Sequence, residues 1–296
     1  MENSTLSQAW GDYEIKTSSL MWKRIVGNKM FVVGGIVVFI LVLWAILAPV
    51  LTQYDPTKMD FSSKLASPSW KHLMGTDHFG RDIFARIIYG ARISFQVGIA
   101  TVLIGFVSGI IIGAIAGFIG GFWDGLIMRI MDSLLAFPPL LLAIGLAASM
   151  KPSLTTVCIS IGVVYIPRFA YVMRGSVLVE REKEYVEAAR AIGQSNTKIL
   201  LKHIWPSCIS PVIVLATVIF AIAIIAEATL SFLGVGIPPP APSWGTMLSE
   251  SRRYLSSSIY PALFPGLAIS IAVLGSNLLG DGLRDILDPR IYTKIK

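Results

Sequence analysis

Six runs of apolar residues, each about as long as a membrane is thick, govern what this chain can fold into. They fall at roughly 30–51, 93–120, 126–149, 154–173, 209–234 and 260–283. A helix needs about 20 residues to cross a ~30 Å hydrocarbon core, and in lipid every backbone amide must find its partner within the protein. The period-2 alternation of a membrane barrel is absent, so the runs predict an all-α membrane protein with six transmembrane helices. Only 15% of the 296 residues are charged, against about 25% in soluble domains, and that agrees.

The net charge of +7 invites a nucleic-acid reading, but the cations are spread over loops and no basic domain carries them. In a polytopic protein such an excess reflects the positive-inside bias. Lys16, Lys23, Arg24 and Lys29 precede the first run with no acid among residues 16–29, which puts the N-terminus in the cytoplasm. Six crossings return the C-terminus to the same side. The expected organisation is a cytoplasmic tail (1–29), a first span with an extracytoplasmic loop (30–92), a five-helix core (93–283) and a cytoplasmic tail (284–296). Within it, 174–208 is cytoplasmic and 235–259 faces out. Lys and Arg then number 16 inside and 9 outside. The loop 52–92 runs against the bias, with six cations and four aspartates. The first run reads as an uncleaved span rather than a signal peptide. Cys158 and Cys208 lie in or beside spans, and nothing suggests a disulfide framework.

The stretch "EYVEAARAIGQSNTKILLKHIWP" (184–206) is polar and helical in pattern, yet it sits between two apolar runs. Tyr185, Ala188, Ala189 and Ile192 recur at i, i+3, i+4 and i+7, so they share one face. Glu187 points the other way, near Lys183 and Arg190. Gly193 is placed to stop this helix in a left-handed cap. Ser195 or Asn196 can cap a second short helix, which Pro206 separates from the fifth run. Two alanines leave little bulk, so another surface can approach the backbone. The alternative is an amphipathic helix resting on lipid headgroups, against which the narrow apolar face counts.

Glu187-Ala188-Ala189, three residues, then Gly193 resembles the EAA loop of permease subunits of binding-protein-dependent ABC importers. The family pattern continues through nine residues to Ile-x-Leu-Pro; here His203-Ile204-Trp205-Pro206 keeps the proline and replaces the Ile and Leu. "GTDHFGRDIFARIIYGARIS" (75–94), "PPAPSWGTMLSESR" (239–252) and "NLLGDGLRDILDPR" (277–290) are similar to signatures of the C-type permease of dipeptide, oligopeptide and nickel importers. The resemblance implies a type I ABC importer transmembrane domain in a bacterial inner membrane, surrounded by lipid. It implies a second homologous permease, two cytoplasmic ATPase subunits that bind ATP and Mg, and an extracytoplasmic substrate-binding protein. Glu187, Ala188, Ala189, Gly193 and Pro206 become the ATPase-coupling residues. Peptides, glutathione, nickel complexes and other small solutes all remain open as substrates.

Gly105, Gly109, Gly113, Gly117 and Gly121 recur every fourth residue through the second run. Such small-xxx-small stripes let membrane helices pack backbone to backbone, a reading favoured over a substrate-lining role. Asp132, three residues after Arg129, and Glu227 lie in or near the third and fifth runs. An acid there costs about 2.5–3.5 kcal/mol on insertion scales, so it must face protein or water. For Glu227 a transport-path or interface contact and an acid bonded within helix packing both stand. Pro138, Pro139, Pro167 and Pro265 predict kinks or helix ends.

Enzyme readings find no support. There is no H-E-x-x-H or G-x-S-x-G, and without G-x-x-x-x-G-K-[ST] the chain is not itself an ATPase of the P-loop type. No catalytic, cofactor or metal site is expected in this chain. The alternatives are a self-sufficient secondary transporter or channel, which needs coupling-ion sites near the midplane, and, behind it, a membrane protease.

Overall fold

The computed structural model describes residues 25–287. Most of the tail cations used for the orientation argument, Lys16, Lys23, Arg24, Arg290, Lys294 and Lys296, lie outside the described residues.

Helix α1 (Lys29–Leu51) begins at Asn28, whose side chain accepts a hydrogen bond from the Phe31 amide at 3.0 Å. Helix α2 (Ile83–Ile119) begins at Asp82, which accepts from the Ala85 amide at 2.7 Å. This start is ten residues before the expected 93, so the last ten residues of the expected outer loop 52–92 are helix. The cause lies in side chains that hydropathy cannot pair. Ile83, Ile87 and Ala91 form a buried stripe, and Arg86 beside them is buried in an ion-pair network. Gly120 and Gly121 end α2 with φ of +70° and +59°, conformations that a Cβ disfavours.

The third apolar run is not one straight helix. It is α3 (Gly121–Leu135) followed by α4 (Pro139–Ala148), bent by 85° at the break. Pro139 has no amide to donate and sits at the first helical position, where none is needed. It also disfavours helical backbone at Pro138 before it. Among the described residues there are thus five unbroken helices able to span a membrane, or six if the bent pair counts as one. Arg174 of the following helix holds Asp124 of α3 through two 2.6 Å bonds. The Tyr171 hydroxyl donates to Asp132, so the acid's partner lies across helices rather than at Arg129.

Helix α5 (Leu154–Glu180) is capped by Ser153, which accepts from the Thr156 amide at 3.1 Å. Helix α6 (Glu184–Ala191) follows. A short turn, Asn196–Lys198, passes through a π-helical turn, Ile199–Ile204, straight into α7 (Trp205–Phe232). Pro206 therefore does not separate a second helix from the fifth span. It falls at the second position of α7, where the widened turn before it has already shifted the bonding register. Helices α8 (Trp244–Ser251) and α9 (Tyr260–Leu287) complete the chain. No strand occurs among the described residues, only an isolated bridge between Thr76 and Asp82.

The pair α2–α5 forms the most extensive contact, and its glycines explain why. A Cβ at Gly105, Gly109, Gly113 or Gly117 would stand at or under 3.0 Å from atoms of Phe169, Ile166, Ala170 or Arg174. Ile104 fills the space at Gly162 from the other side. Without these side chains many more atom pairs reach van der Waals range, each contributing about 0.1–0.2 kcal/mol. Gly121 does not belong to this seam. It opens α3 around the corner, and nothing lies within 4 Å of where its Cβ would be. A second small-residue seam, which the spacing of glycines in the sequence does not reveal, joins α1 to α9. A Cβ at Gly34 would come within 3 Å of Gly275 and Leu278, and one at Gly282 would collide with Phe31. Large apolar side chains such as Val33, Phe39, Ile46 and Val50 of α1 stay exposed, as lipid contact requires.

Candidate coupling site

At one end of the bundle α5 stops at Glu180, and the chain turns into α6. Arg181 reaches back to the Gly117 carbonyl at 2.7 Å, satisfying an acceptor in the last turn of α2. Lys183 lies 2.7 Å from Glu180, and the Tyr185 hydroxyl donates to the same carboxylate at 2.5 Å. Burial and that neighbouring carboxylate push the Tyr185 phenol up to about 12, so it stays protonated throughout the physiological range and keeps donating.

Of the four residues expected to share a face of α6, only Ala189 turns into the chain's own core. Val186 and Ala189 are inside, packed with Ile199 and Ile204 in the main core. Tyr185, Ala188 and Ile192 stay exposed, Ile192 by 75%. Helical spacing allows either stripe. The β-branched Val186 takes the core because it carries the only bulky apolar side chain on the inward side of the turn after α5. Glu187 and Arg190 point outward. The outer surface of α6 thus mixes apolar and charged groups, with Leu201 also 56% exposed.

Gly193 has φ +77°. Its amide bonds the Arg190 carbonyl at 2.9 Å and the Gln194 amide bonds that of Ala189 at 3.1 Å, the pair of reversed bonds that ends a helix in a left-handed residue. Nothing lies within 4 Å of a Cβ built there; conformation rather than space calls for glycine. The Gln194 side chain then meets His203 Nε2 at 2.8 Å and closes the turn onto the π-helical segment. Ala188, Ala189, Gly193 and Pro206 therefore hold separate places: one outward, one in the core, one at the corner, one in α7.

Glu227, in the last turns of α7, is fully buried. Ser231 donates to one carboxylate oxygen at 2.8 Å and Ser94 of α2 lies 3.4 Å from the other. Its described partners are hydroxyls: Ser231 one turn along α7, and Ser94, which links α7 to α2.

The opposite end carries residues 52–82 and 235–259, where two of the sequence signatures meet. Arg81 pairs with Asp77 at 2.6 Å and with Glu250 at 2.5 Å; Arg86 lies 3.3 Å from Glu250 and donates to the Pro56 carbonyl at 3.2 Å. Both arginines are almost wholly buried. Trp244, also buried, donates its indole N–H to the Ile87 carbonyl at 3.0 Å. Sequence reasoning missed this network. Its signal was present in the charge-dense "GTDHFGRD", although the partner Glu250 lies 169 positions from Arg81.

Similarity to known proteins extends along most of the chain. Residues 109–292 match the family described as binding-protein-dependent transport system inner membrane component, and residues 18–68 match the N-terminal TM domain of oligopeptide transport permease C. A dipeptide transport system permease protein of Alkalihalophilus pseudofirmus is 46% identical over 270 residues, 91% of this chain and 89% of its own. A glutathione transport system permease protein of Salmonella typhimurium is 46% identical over 271 residues, again 91% and 89%. A putative peptide transport system permease protein of Brucella abortus is 45% identical over 269 residues, 91% and 90%. Apolar helices that can span a membrane, signatures that meet in space and matches along most of the chain have one reading: the chain belongs to the binding-protein-dependent transport system inner membrane component family.

Proposed function

We propose that this chain is one of two permease subunits of an ATP-driven importer for peptides or a related small solute, and that α6 couples it to a separate ATPase subunit that binds ATP and Mg. The observation carrying this reading is the uncovered outer face of α6. Val186 and Ala189 anchor the helix, while Tyr185, Ala188 and Ile192 are left uncovered beside Glu187 and Arg190. A helix buried on every side in its own core would have no such surface to offer. In this reading the end bearing α6 is cytoplasmic, residues 52–82 and 235–259 face the binding protein, and a homologous permease supplies the other half of the pathway.

Glu187→Lys tests the coupling. Glu187 is exposed, so the variant should reach the membrane at normal levels. Uptake should fall about tenfold or more, with the ATPase poorly held or hydrolysing without transport, since inverting one charge at an interface costs several kcal/mol. Normal uptake would favour a helix resting on lipid, where an added cation is welcome. Orientation is checked separately with single cysteines at Ser62, Ser195 and Ser257, in a background without Cys158 and Cys208. An impermeant thiol reagent should label positions 62 and 257 in cells with a permeable outer envelope and spare position 195; labelling at 195 would invert the arrangement.

A further inference from the structure

A cavity of about 660 Å³ opens between the loop around residues 59–81 and the segment 239–254. Its floor is the Arg81–Glu250 ion pair, fixed from behind by Asp77 and Arg86. One wall is aromatic: His78 stacks on Tyr254 with centroids 4.7 Å apart and planes within 16°, and Phe79 packs against His78. Pro239 and Pro240 form another wall, which offers no amide donors. Arg252 and Arg253 line the rim, both exposed.

The charges of this end are unevenly paired. Each of its carboxylates already has a partner within the chain. Asp55 is bonded by Thr57, and Asp60 by Ser62 and Ser63. Asp77 is held by Arg81, Asp82 by His72, and Glu250 by both buried arginines. Among the described residues the ion pairs at this end use His72, Arg81 and Arg86; Lys58, Lys64, Lys71, Arg252 and Arg253 have none, and of these the two arginines line the cavity. Burial holds the His78 imidazole below its usual value, so it is neutral at pH 7 and the rim charge is that of the two arginines. Cations on a side that the positive-inside bias should deplete call for a reason of their own.

We propose that this cavity is a docking seat for an acidic side chain of the substrate-binding protein, gripped by Arg252 and Arg253 beside the aromatic wall. The proposal rests on the permease reading given above and deepens it by naming the surface and the sign of its partner. Guanidinium groups suit a carboxylate through parallel N–H bonds, and the apolar walls lower the local dielectric, which strengthens such a pair. The neutral ion-pair floor adds rigidity without competing for the anion.

The test uses the complete transporter in lipid vesicles with its purified binding protein, reading stimulated ATP hydrolysis against binding-protein concentration. Combined Arg252→Glu and Arg253→Glu should raise the half-saturating concentration about tenfold or more at low salt, with basal hydrolysis unchanged. The wild type should weaken as salt rises, because screening lengths fall to about 10 Å at 0.1 M; the double reversal should lose that dependence. Arg252→Lys with Arg253→Lys should stay near wild type. A wild-type response left unchanged by the double reversal overturns the docking seat alone. A loss that appears as weaker binding of free substrate without the binding protein also overturns it, since the cavity then takes a small carboxylate. A wild-type transporter indifferent to its binding protein overturns the permease reading, and the seat with it.

Discussion

The two ends of the bundle are held in opposite ways. At the end bearing residues 52–82 and 235–259, long side chains cross between segments far apart in sequence and bury their charges: Arg81, Arg86 and Trp244 are each no more than 2% exposed. At the other end α6 is anchored by two small apolar side chains and one tyrosine–glutamate bond, with its other face open. A buried ion network tolerates only one arrangement, because displacing any member strands a charge. Two small anchors define a position but leave most of the helix surface for something else. The contrast separates a rigid frame from a helix whose outer face this chain leaves uncovered.

The largest expected effect is at the frame. Arg81→Met leaves Asp77 and Glu250 with Arg86 as their only cation, at 3.7 and 3.3 Å, and should cost about 3–5 kcal/mol, read as thermal unfolding in detergent. If the exposed Arg252→Met costs as much, the distinction between frame and rim disappears. Next comes the seam that connects the ends. Gly113→Leu pushes a side chain into Ala170 of α5 and should cost about 1–3 kcal/mol, seen as less folded protein and weaker complex recovery. Ile112→Leu, only partly buried beside it, should stay under about 1.5 kcal/mol; equal losses would remove the special status of the glycines. The smallest effect is at the end bearing α6. Gly193→Ala meets no atom within 4 Å, so only the positive φ penalises it, by about 1 kcal/mol. A loss as large as that of Gly113→Leu would mean that Gly193 is a packing residue after all, and the two ends would no longer differ in kind.

Much of this was legible in the sequence, for reasons that differ from residue to residue. The glycine period of four announced a side-chain-free ridge, and Gly105 to Gly117 lie on it. Gly121 continues the spacing, but Gly120 and Gly121 turn the chain first, and spacing alone cannot tell a ridge from a corner. The start of α2 was missed because Arg86 lowers the local hydropathy, and its burial becomes tolerable through Asp77, the Pro56 carbonyl and Glu250, the last far along the chain. On α6 the shared face of Tyr185, Ala188 and Ile192 stays uncovered, but Ala189 turns inward beside Val186, which a helical wheel of one helix alone cannot rank.

By itself the sequence determined the features that local chemistry dictates: long apolar runs that must be helices in lipid, a glycine that must turn left-handed at 193, and prolines that must break the third run. The tertiary structure decided which atoms meet across the chain. It assigned Asp132 to Tyr171 and Glu227 to Ser94 and Ser231, paired Arg81 and Arg86 with Glu250, and opened a cavity between two segments far apart in the chain. The physical reason is one of range. Dihedral preferences and hydropathy act over a few residues and can be read along a line, whereas the cost of a buried charge or of a Cβ at a helix contact depends on what the fold sets against it.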